Sequence, residues 1–372
     1  MKYYVIAGEA SGDLHGSNLI KQIKALDQDA NFRCWGGDKM LAQGVTLVKH
    51  IKDLAFMGFV EVISNLPTIL KNIGFCKQDI LSYQPDVLIL IDYPGFNLRI
   101  AEFAKQHHIK VVYYISPQVW AWKQSRVKKI KATVDCMLVI LPFEQDFYKQ
   151  FQFDVFYTGH PLLDAIEEIK VTSNTWNEFI QVNLLPNKPI IALLPGSRKQ
   201  EISTVLPLML QVKKHFKDFQ FVVACAPSIT ADFYKSVIGF DDVKLVYDQT
   251  YQILQHTKAA LVTSGTATLE TALFNVPEVV CYKGNNISYQ IAKRLIKVKY
   301  ISLVNLIMDQ EIVKELIQDE LNETQLKLEL SKLLDPNYQQ QLKLQYEELR
   351  TKLGGKGASA RAAKHIVDFI AN

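Results

Sequence analysis

The sequence lacks a long hydrophobic run. Its 372 residues contain no stretch of about 18 charge-free apolar residues, which is the length that a membrane-spanning helix needs. The first residues also reach an acidic side chain, Glu9, too early for a secretory signal peptide. We therefore expect neither a transmembrane helix nor a signal peptide.

Cysteine is scarce, and no two cysteines form a C-x-x-C pair. An odd, scattered set argues against a disulfide scaffold and against a zinc module, and it is typical of a reducing compartment. We therefore expect a cytoplasmic protein. The five cysteines are Cys34, Cys76, Cys136, Cys225 and Cys281.

A strong charge of one sign is missing as well. The 42 Lys and Arg residues exceed the 38 Asp and Glu residues by only four, so nucleic acid is not an expected partner. The one candidate metal pattern, Asp27-Gln28-Asp29, follows the end of a predicted helix rather than a strand. A metal role for it is the less favoured alternative, and we predict no metal and no cofactor.

Short apolar runs rich in β-branched and aromatic residues recur along the chain, each followed by a turn and a helical pattern. Runs that are apolar on both faces are typical of parallel strands covered by helices. Because the alternation occurs in two series, we predict an α/β fold of two doubly wound parallel-sheet domains. The predicted strands are Tyr3–Ala7, Phe32–Trp35, Val87–Ile91, Val111–Ile115, Met137–Leu141, Val155–Tyr157, Ile190–Leu194, Phe221–Ala224, Leu245–Tyr247, Ala260–Val262 and Val279–Tyr282.

A polar stretch at 167–188 marks the predicted domain boundary. We place one domain at 1–170, a second at 185–345 and a helical C-terminal tail at 346–372. The tail either crosses back to its own first domain or exchanges with a neighbouring copy in a homodimer. The helices predicted beyond Asp309 are Glu311–Leu321, Glu323–Leu334, Pro336–Leu353 and Ala358–Ile370.

Glycine-rich and acidic turns follow two strands of the first half. Gly8, Gly12 and Gly16 allow a tight turn and a close approach of the backbone to a ligand. The alternative is a simple turn in which Ser11 or Asp13 caps the following helix. Asp92 directly follows a strand and is placed to accept a proton from a hydroxyl group, or else it bonds the backbone of its own Pro-Gly turn.

Two further segments of the first half favour a lipid or phosphate surface. Residues 103–134 carry seven Lys or Arg residues, no acid and two tryptophans. This pattern indicates either a solvated face or contact with anionic groups. The apolar positions of 56–76 fall on one helical face, and Pro67 predicts two short helices there. That segment is either a core-facing helix pair or a membrane-interface flap.

Two turns of the second half are suited to phosphate. Gly196 and Ser197 open a predicted helix, and Arg198 supplies a fork of donors for diphosphate oxygens. A second hydroxyl-rich turn, Ser264-Gly265-Thr266, begins another helix, and Glu270 one turn later can accept both hydroxyls of a ribose. Each turn alone is also explained by helix capping, but two in one domain favour a nucleoside diphosphate.

Together these motifs resemble the lipid-A-disaccharide synthase family of two-domain GT-B glycosyltransferases. The resemblance runs from Tyr4 to about Glu320. It departs at two places, because the family usually has Asp where this chain has Gly95 and Pro where it has Val304. The segments that carry it are Gly8–Asp13, Phe56–Val62, Ile91–Asn97, Ser116–Trp122, Leu141–Glu144, Gly159–Pro161, Leu194–Arg198, Ser264–Glu270 and Tyr300–Leu303.

The resemblance implies a reaction and its partners. UDP-2,3-diacylglucosamine would donate its sugar to the 6-hydroxyl of 2,3-diacylglucosamine 1-phosphate, with inversion, giving a β-1,6 disaccharide and UDP. It implies an anionic membrane surface as a partner and a peripheral position on the inner face of the inner membrane. No cofactor is implied.

The resemblance also implies roles for particular residues. Asp92 would be the base, with Glu9 beside it as the second predicted catalytic residue, and Asn305 would join Glu270 at the uridine or ribose. The predicted UDP-binding set is Gly196, Ser197, Arg198, Ser264, Gly265, Thr266, Glu270 and Asn305. The predicted acceptor and lipid set is Gly8, Ser11, Gly12, Asp13, Asn97, Gln118, Trp120, Phe59, Val62 and Ile63.

Two alternatives remain open from the sequence. One is another GT-B enzyme that uses UDP-N-acetylglucosamine, such as a 2-epimerase or the peptidoglycan lipid-intermediate transferase, which would share the phosphate turns. The other is a non-catalytic lipid-binding protein, which would have no need of two phosphate turns.

Overall fold

The computed structural model describes residues 1–54, 66–122, 124–171, 175–239, 243–285 and 298–371, except for the side chains of 66, 122 and 168–171. The chain divides into two compact units. The first unit comprises Met1–Ala165 and Leu353–Asn372, and the second comprises Ile166–Lys352.

Parallel strands form one sheet in each unit. The strands are β1 (Lys2–Ala7), β2 (Asn31–Gly36), β3 (Thr46–His50), β4 (Val87–Ile91), β5 (Lys110–Tyr114), β6 (Cys136–Val139), β7 (Phe156–Tyr157), β8 (Ile190–Leu194), β9 (Gln220–Cys225), β10 (Lys244–Tyr247), β11 (Thr257–Thr263), β12 (Glu278–Tyr282) and β13 (Lys314–Ile317).

Helices connect the strands. They are α1 (Ala10–Leu26), α2 (Asp38–Leu41), α3 (Leu66–Tyr83), α4 (Pro94–Gln106), α5 (Val119–Trp122), α6 (Arg126–Thr133), α7 (Glu144–Lys149), α8 (Leu162–Val171), α9 (Trp176–Val182), α10 (Lys199–Leu210), α11 (Ala231–Ile238), α12 (Thr250–Gln255), α13 (Thr266–Leu273), α14 (Leu303–Met308), α15 (Glu323–Leu333), α16 (Pro336–Lys352) and α17 (Ala358–Ala371). Single 3-10 turns occur at Ile51–Asp53, Lys213–His215 and Gln318–Glu320.

The strand orders identify where each sheet can bind a ligand. The seven-stranded sheet has the order β3-β2-β1-β4-β5-β6-β7, and the six-stranded sheet has the order β10-β9-β8-β11-β12-β13. The winding therefore reverses between β1 and β4 in the first unit and between β8 and β11 in the second. In open parallel sheets, ligands bind beyond the carboxyl ends of the strands at such a reversal.

Burial explains why these segments form strands. All five residues of Val87–Ile91 are buried, as are all five of Ile190–Leu194, because helices cover both faces of each sheet. The two doubly wound α/β domains predicted from the sequence are confirmed. None of the described helices combines the length and the hydrophobicity of a membrane-spanning segment.

The C-terminal helix α17 belongs to the first unit, where it packs on α1. Small buried residues such as Ala362 and Ala363 line α17 and allow a close approach. The carboxylate of Asp164 accepts hydrogen bonds from the backbone N–H groups of Gly357 (2.7 Å) and Ser359 (2.9 Å), which fixes the start of α17. Exchange of this tail in a homodimer stays a prediction.

One predicted helix, Glu311–Leu321, is wrong. Its centre is β13, which pairs in parallel with β12 at the sheet edge. The alternating charges of this segment look like a solvated helix, but Glu315 is buried and accepts the N–H groups of Ile301 and Ser302. The edge strand β3 was not predicted, because Thr46–His50 is only partly buried and mostly polar.

Candidate functional site

Asp92 stands at the carboxyl end of β4 in a strained turn. Asp92 and Tyr93 both have left-handed backbones, with φ of 44° and 49°. This conformation costs a non-glycine residue about 1–3 kcal/mol, so it persists only where the surroundings hold it. The carbonyl of Asp92 accepts hydrogen bonds from Tyr113 Oη (2.6 Å) and Asn97 Nδ2 (2.7 Å). The turn is thus fixed through the backbone of Asp92, and its carboxyl group projects from the end of the strand.

The environment of Asp92 gives it the pKa of a base that works near neutral pH. Burial raises the pKa of Asp92 to about 7, and the negative charge of Glu9 acts in the same direction, while the N–H of Tyr93 lowers it. A carboxyl group that titrates in this range is suited to proton transfer at physiological pH. Glu9 follows β1 and Asp92 follows β4, where Ala7 and Ile91 are paired. We call the region beyond this pair the β1/β4 crevice.

Of the three glycines predicted for the first turn, only Gly8 lies in the turn, whereas Gly12 and Gly16 lie within α1. A Cβ atom on Gly8 would collide with the ring of Tyr93, and one on Gly12 would lie 3.1 Å from the Cβ of Ala7. Glu9 occupies the N-cap position of α1 through its backbone alone, and its side chain and that of Ser11 are exposed. The turn therefore brings the backbone and the Glu9 carboxylate to the β1/β4 crevice.

Asp13 has a structural role. Its buried carboxylate accepts hydrogen bonds from the backbone N–H groups of Gly37 (2.7 Å), Lys39 (3.0 Å) and Met40 (3.0 Å). These bonds satisfy the free N–H groups at the start of α2. The alternative in which Ser11 or Asp13 caps α1 is wrong, because the N-cap residue is Glu9 and no side chain makes the capping bond.

The other residues predicted for the acceptor side differ in how deeply their side chains are buried. Asn97 is fully buried and donates through Nδ2 to the carbonyls of Ile91 (3.2 Å) and Asp92, so it supports the turn from below. In the loop after β5, Gln118 is exposed, whereas Trp120 is buried and packs edge-on against Phe143, with ring centroids 4.9 Å apart.

The predicted membrane residues Phe59, Val62 and Ile63 lie outside the described residues. Pro67 is the second residue of the described part of α3. The described helix has a core face, with Cys76 and Ile80 buried, and an outer face on which Leu70 and Phe75 are 54% and 46% exposed. The described part of this segment thus has a face that packs on the core, and the membrane-interface interpretation stays a prediction.

The basic side chains of residues 103–134 are partly neutralised by acidic neighbours. Lys105 pairs with Asp135, and Lys129 pairs with Glu102 at 2.7 Å. Lys131 donates to the carbonyls of Phe151 (3.2 Å) and Gln152 (2.8 Å). These contacts favour a solvated face for this part of the run.

The second unit has an open cleft of about 400 Å³ beyond the carboxyl ends of β8 and β11. We call it the β8/β11 cleft. Leu194 and Val262 are paired in the sheet, which places the turn after β8 beside the turn after β11. Its lining residues include Gly196, Ser197, Arg198, Glu201, Thr250, Ser264, Gly265, Thr266 and Glu270.

Both turns of the β8/β11 cleft lead into helices. Gly196 has a left-handed φ of 100°, and Arg198 is the N-cap residue of α10. Gly265 is the N-cap residue of α13, with a φ of 153°. Ser264 Oγ donates to the carbonyl of Ile301 (2.8 Å), which fixes the second turn. The free N–H groups of the two helices and the Arg198 guanidinium make this cleft favourable for an anion.

Glu270 lies in the same cleft and has a protein partner. Tyr251 Oη donates to Glu270 Oε1 at 2.7 Å, and the Tyr251 ring stacks on Phe274. Burial raises the pKa of Glu270, and the Tyr251 hydroxyl lowers it. One carboxylate oxygen is thus held by Tyr251, which orients the carboxylate.

Asn305 is not in the cleft lining. Its fully buried amide donates to the Val313 carbonyl (2.8 Å) and to Glu315 (2.9 Å), and accepts from the N–H groups of Ile312 (2.7 Å) and Val313 (3.0 Å). These bonds join α14 to the start of β13. The neighbouring Val304 is also fully buried, whereas Gly95 is exposed and a Cβ there would meet nothing within 4 Å.

Sequence reasoning missed Tyr113, Tyr251 and Glu201. Tyr113 and Tyr251 look like ordinary strand and helix residues, and only the fold brings their hydroxyl groups to Asp92 and Glu270. Glu201 lies on α10 shortly after Arg198, and nothing in the sequence around it distinguishes it from an ordinary helix residue. In the part of the chain that the structure describes, no group of three or more His, Cys, Asp or Glu residues could hold a metal ion.

Comparison with known proteins identifies similar sequences along the chain. The family model described as Lipid-A-disaccharide synthetase matches residues 3–369. A lipid-A-disaccharide synthase of Geobacter sulfurreducens is 37% identical over 98% of this chain and 96% of its own length. One of Syntrophus aciditrophicus is 40% identical over 98% of this chain and 97% of its own length.

Solved structures show the same fold at low sequence identity. The UDP-GlcNAc 2-epimerase of Neisseria meningitidis bound to UDP-GlcNAc has a TM-score of 0.67, is 12% identical and is covered completely, as is this chain. A putative UDP-N-acetylglucosamine 2-epimerase of Listeria monocytogenes has a TM-score of 0.66 and 13% identity, over 98% of this chain and 94% of that one. These likenesses support the GT-B-like architecture alone.

Proposed function

The chain belongs to the lipid-A-disaccharide synthetase family, and we propose that it joins UDP-2,3-diacylglucosamine to 2,3-diacylglucosamine 1-phosphate with inversion. Membership of the family makes it a glycosyltransferase that forms a disaccharide. The observation that carries the finer proposal is the partly buried carboxyl group of Asp92, with its pKa near 7, in the β1/β4 crevice.

In the proposed reaction, Asp92 acts as the general base. Its carboxylate takes the proton of the acceptor 6-hydroxyl as that oxygen attacks the anomeric carbon. One bond forms between the acceptor oxygen and the anomeric carbon, and the bond from that carbon to the diphosphate breaks with its electron pair leaving on UDP. A single displacement of this kind inverts the anomeric configuration. Glu9 contributes by raising the pKa of Asp92, which makes its carboxylate a stronger base.

The β8/β11 cleft is the proposed site of the UDP part of the donor. Arg198 and the N-termini of α10 and α13 would stabilise the negative charge that develops on the leaving diphosphate. Glu270, oriented by Tyr251, would accept hydrogen bonds from the ribose hydroxyls. We do not assign a ligand to Asn305, because its amide is occupied within the fold.

We further propose that the chain works at the anionic inner face of the inner membrane. Both proposed substrates carry acyl chains and phosphate, so they reside at a membrane surface. Leu70 and Phe75 on α3 are large apolar side chains that remain exposed in the described chain. We propose that these two side chains contact acyl chains, and the proposal for Phe59, Val62 and Ile63 rests on the sequence alone.

A turnover assay tests this function. The purified chain is mixed with UDP-2,3-diacylglucosamine and 2,3-diacylglucosamine 1-phosphate, and UDP and disaccharide are measured with and without a metal chelator. We expect both products in equal amounts at the same rate in each case. A 2-epimerase would instead convert UDP-N-acetylglucosamine without an acceptor, and that outcome would replace the proposal.

A further inference from the structure

Glu201 occupies the part of the β8/β11 cleft that an anion would take. It is the third residue of α10, the helix that follows the loop containing Gly196. Its carboxylate folds back over that turn, so that a Cβ atom on Gly196 would lie only 2.5 Å from Glu201 Oε2. The other oxygen, Oε1, accepts from Arg198 Nη1 at 3.1 Å.

This carboxylate lies beside Gly196, in the turn before α10, where the free N–H groups of the helix N-terminus attract negative charge. It also engages the guanidinium that the proposed function assigns to the diphosphate. A carboxylate and a phosphate cannot both take the same guanidinium donor and the same space beside Gly196.

The ion pair is accessible enough to exchange. The side chain of Arg198 is 65% exposed and that of Glu201 is 32% exposed. Exposed pairs of this kind are weak, so a multiply charged ligand can displace the carboxylate. A pair of this strength modulates affinity without closing the cleft.

We propose that the carboxylate of Glu201 competes with the nucleotide diphosphate for the guanidinium of Arg198. The carboxylate leaves Arg198 when the donor binds and returns to Arg198 when UDP leaves. Glu201 therefore sets the affinity of the cleft for phosphate groups and limits inhibition by the product UDP. This inference rests on the proposed function of the β8/β11 cleft.

The test compares the wild type with Glu201→Gln, which keeps the shape of the side chain and removes its charge. We expect UDP to bind up to about fivefold more tightly in calorimetry, which is the factor that corresponds to about 1 kcal/mol. The inhibition constant of UDP in the turnover assay should fall by the same factor. Uridine, which has no phosphate, is the matched control ligand and should bind both proteins equally.

A second pair of variants examines whether the competition acts through Arg198. The gain from Glu201→Gln should shrink in an Arg198→Ala background, because the contested partner is absent. Weaker UDP binding by Glu201→Gln would overturn the proposal, since it would mean that Glu201 orients Arg198 for the phosphate. Unchanged UDP binding, or an equal gain for uridine, would overturn it as well.

These results also separate the inference from the function on which it rests. If Arg198→Ala leaves UDP affinity unchanged, the phosphate role of the cleft fails. If Arg198→Ala weakens UDP binding while Glu201→Gln has no effect, only the competition fails. Far-ultraviolet circular dichroism of each variant verifies that α10 and the rest of the fold are retained.

Discussion

The hydroxyl group of Tyr113 donates a 2.6 Å hydrogen bond to the backbone carbonyl of Asp92. The bond joins β5 to the turn that follows β4, and it leaves the carboxyl group of Asp92 out of the interaction. The backbone therefore carries the positioning, and the side chain remains for chemistry. These bonds hold the left-handed backbone of Asp92 in place and leave its carboxyl group available for the proposed proton transfer.

Asp92→Asn should abolish turnover and leave UDP binding intact. The amide retains the shape of the side chain but cannot accept the proton of the acceptor hydroxyl, and loss of a general base typically lowers the rate by about 100- to 10,000-fold. Turnover is measured by UDP release, and UDP binding is measured by calorimetry. A variant that retains the wild-type rate would remove Asp92 as the base.

Glu9→Gln should move the acid limb of the pH–rate profile to lower pH. The carboxylate form of Asp92 is the active base, so kcat/KM should rise as pH increases through its pKa of about 7. Burial is the main cause of that raised pKa, and the charge of Glu9 adds to it. Removing this charge lowers the pKa of Asp92. An acid limb at the same pH in both proteins would show that Glu9 does not act on Asp92.

Tyr113→Phe should lower kcat more than it raises KM. The substitution removes one of the two hydrogen bonds to the Asp92 carbonyl and leaves that of Asn97, so the carboxyl group is less well oriented rather than lost. Because the carbonyl keeps a partner, loss of the bond costs about 0.5–1.5 kcal/mol of folding stability. Steady-state kinetics and thermal unfolding are measured together. Tyr3→Phe, which removes a hydroxyl bonded to Asp27 in the same unit, is the control.

Leu70→Gln combined with Phe75→Gln should reduce binding to anionic vesicles. Both side chains are exposed on α3, and transfer of apolar area to a lipid interface drives such binding. Sedimentation with vesicles that contain phosphatidylglycerol measures the bound fraction. Leu344→Gln, which changes a side chain that is 64% exposed on α16, serves as the control. Equal sedimentation of all three proteins would make the outer face of α3 irrelevant to membranes.

Much of the fold could be predicted from the sequence, because buried parallel strands consist of continuous apolar residues. Val87–Ile91 is such a strand, and it is apolar on both faces. The position of Asp92 follows from the same pattern, since the residue after such a strand reaches the ligand-binding edge. Two of the edge strands are different. Thr46–His50 and Lys314–Ile317 mix polar and apolar residues, so they carry no continuous apolar signal.

The role of a residue could be predicted from the sequence where it depends on the position of that residue in a turn or at the end of a strand. It was harder to predict where it depends on the residues that the side chain contacts. Gly265 is the N-cap residue of α13, as its turn indicates, whereas Gly196 lies in the loop before Arg198, the N-cap residue of α10. The resemblance implies ligand-binding roles for Asp13 and Asn305, yet their side chains bond to the backbone N–H groups of other segments. A motif shows that a residue type matters but does not show whether a ligand or the protein itself satisfies it.

Glu278→Gln should stabilise the second unit at neutral pH. Glu278 is fully buried at the start of β12, and neither carboxyl oxygen has a hydrogen-bond partner among the described residues. Burial raises the pKa of Glu278 well above its usual value of 4.5, so the folded state favours the neutral acid. The stabilisation of the folded state by this group is complete below pH 4.5 and is lost as pH rises toward the folded-state pKa.

The Gln variant has no ionisable group at this position, so the difference in stability should depend on pH. We expect the two proteins to be similar near pH 4.5, and the variant to gain about 1.4 kcal/mol in relative free energy of unfolding for each pH unit above it through which folded Glu278 stays protonated. Urea unfolding at several pH values measures the difference. Glu320→Gln, which changes an exposed carboxyl group in the same unit, should show no such trend. A constant difference at every pH would mean that Glu278 is charged in the folded protein and has a partner beyond the described residues.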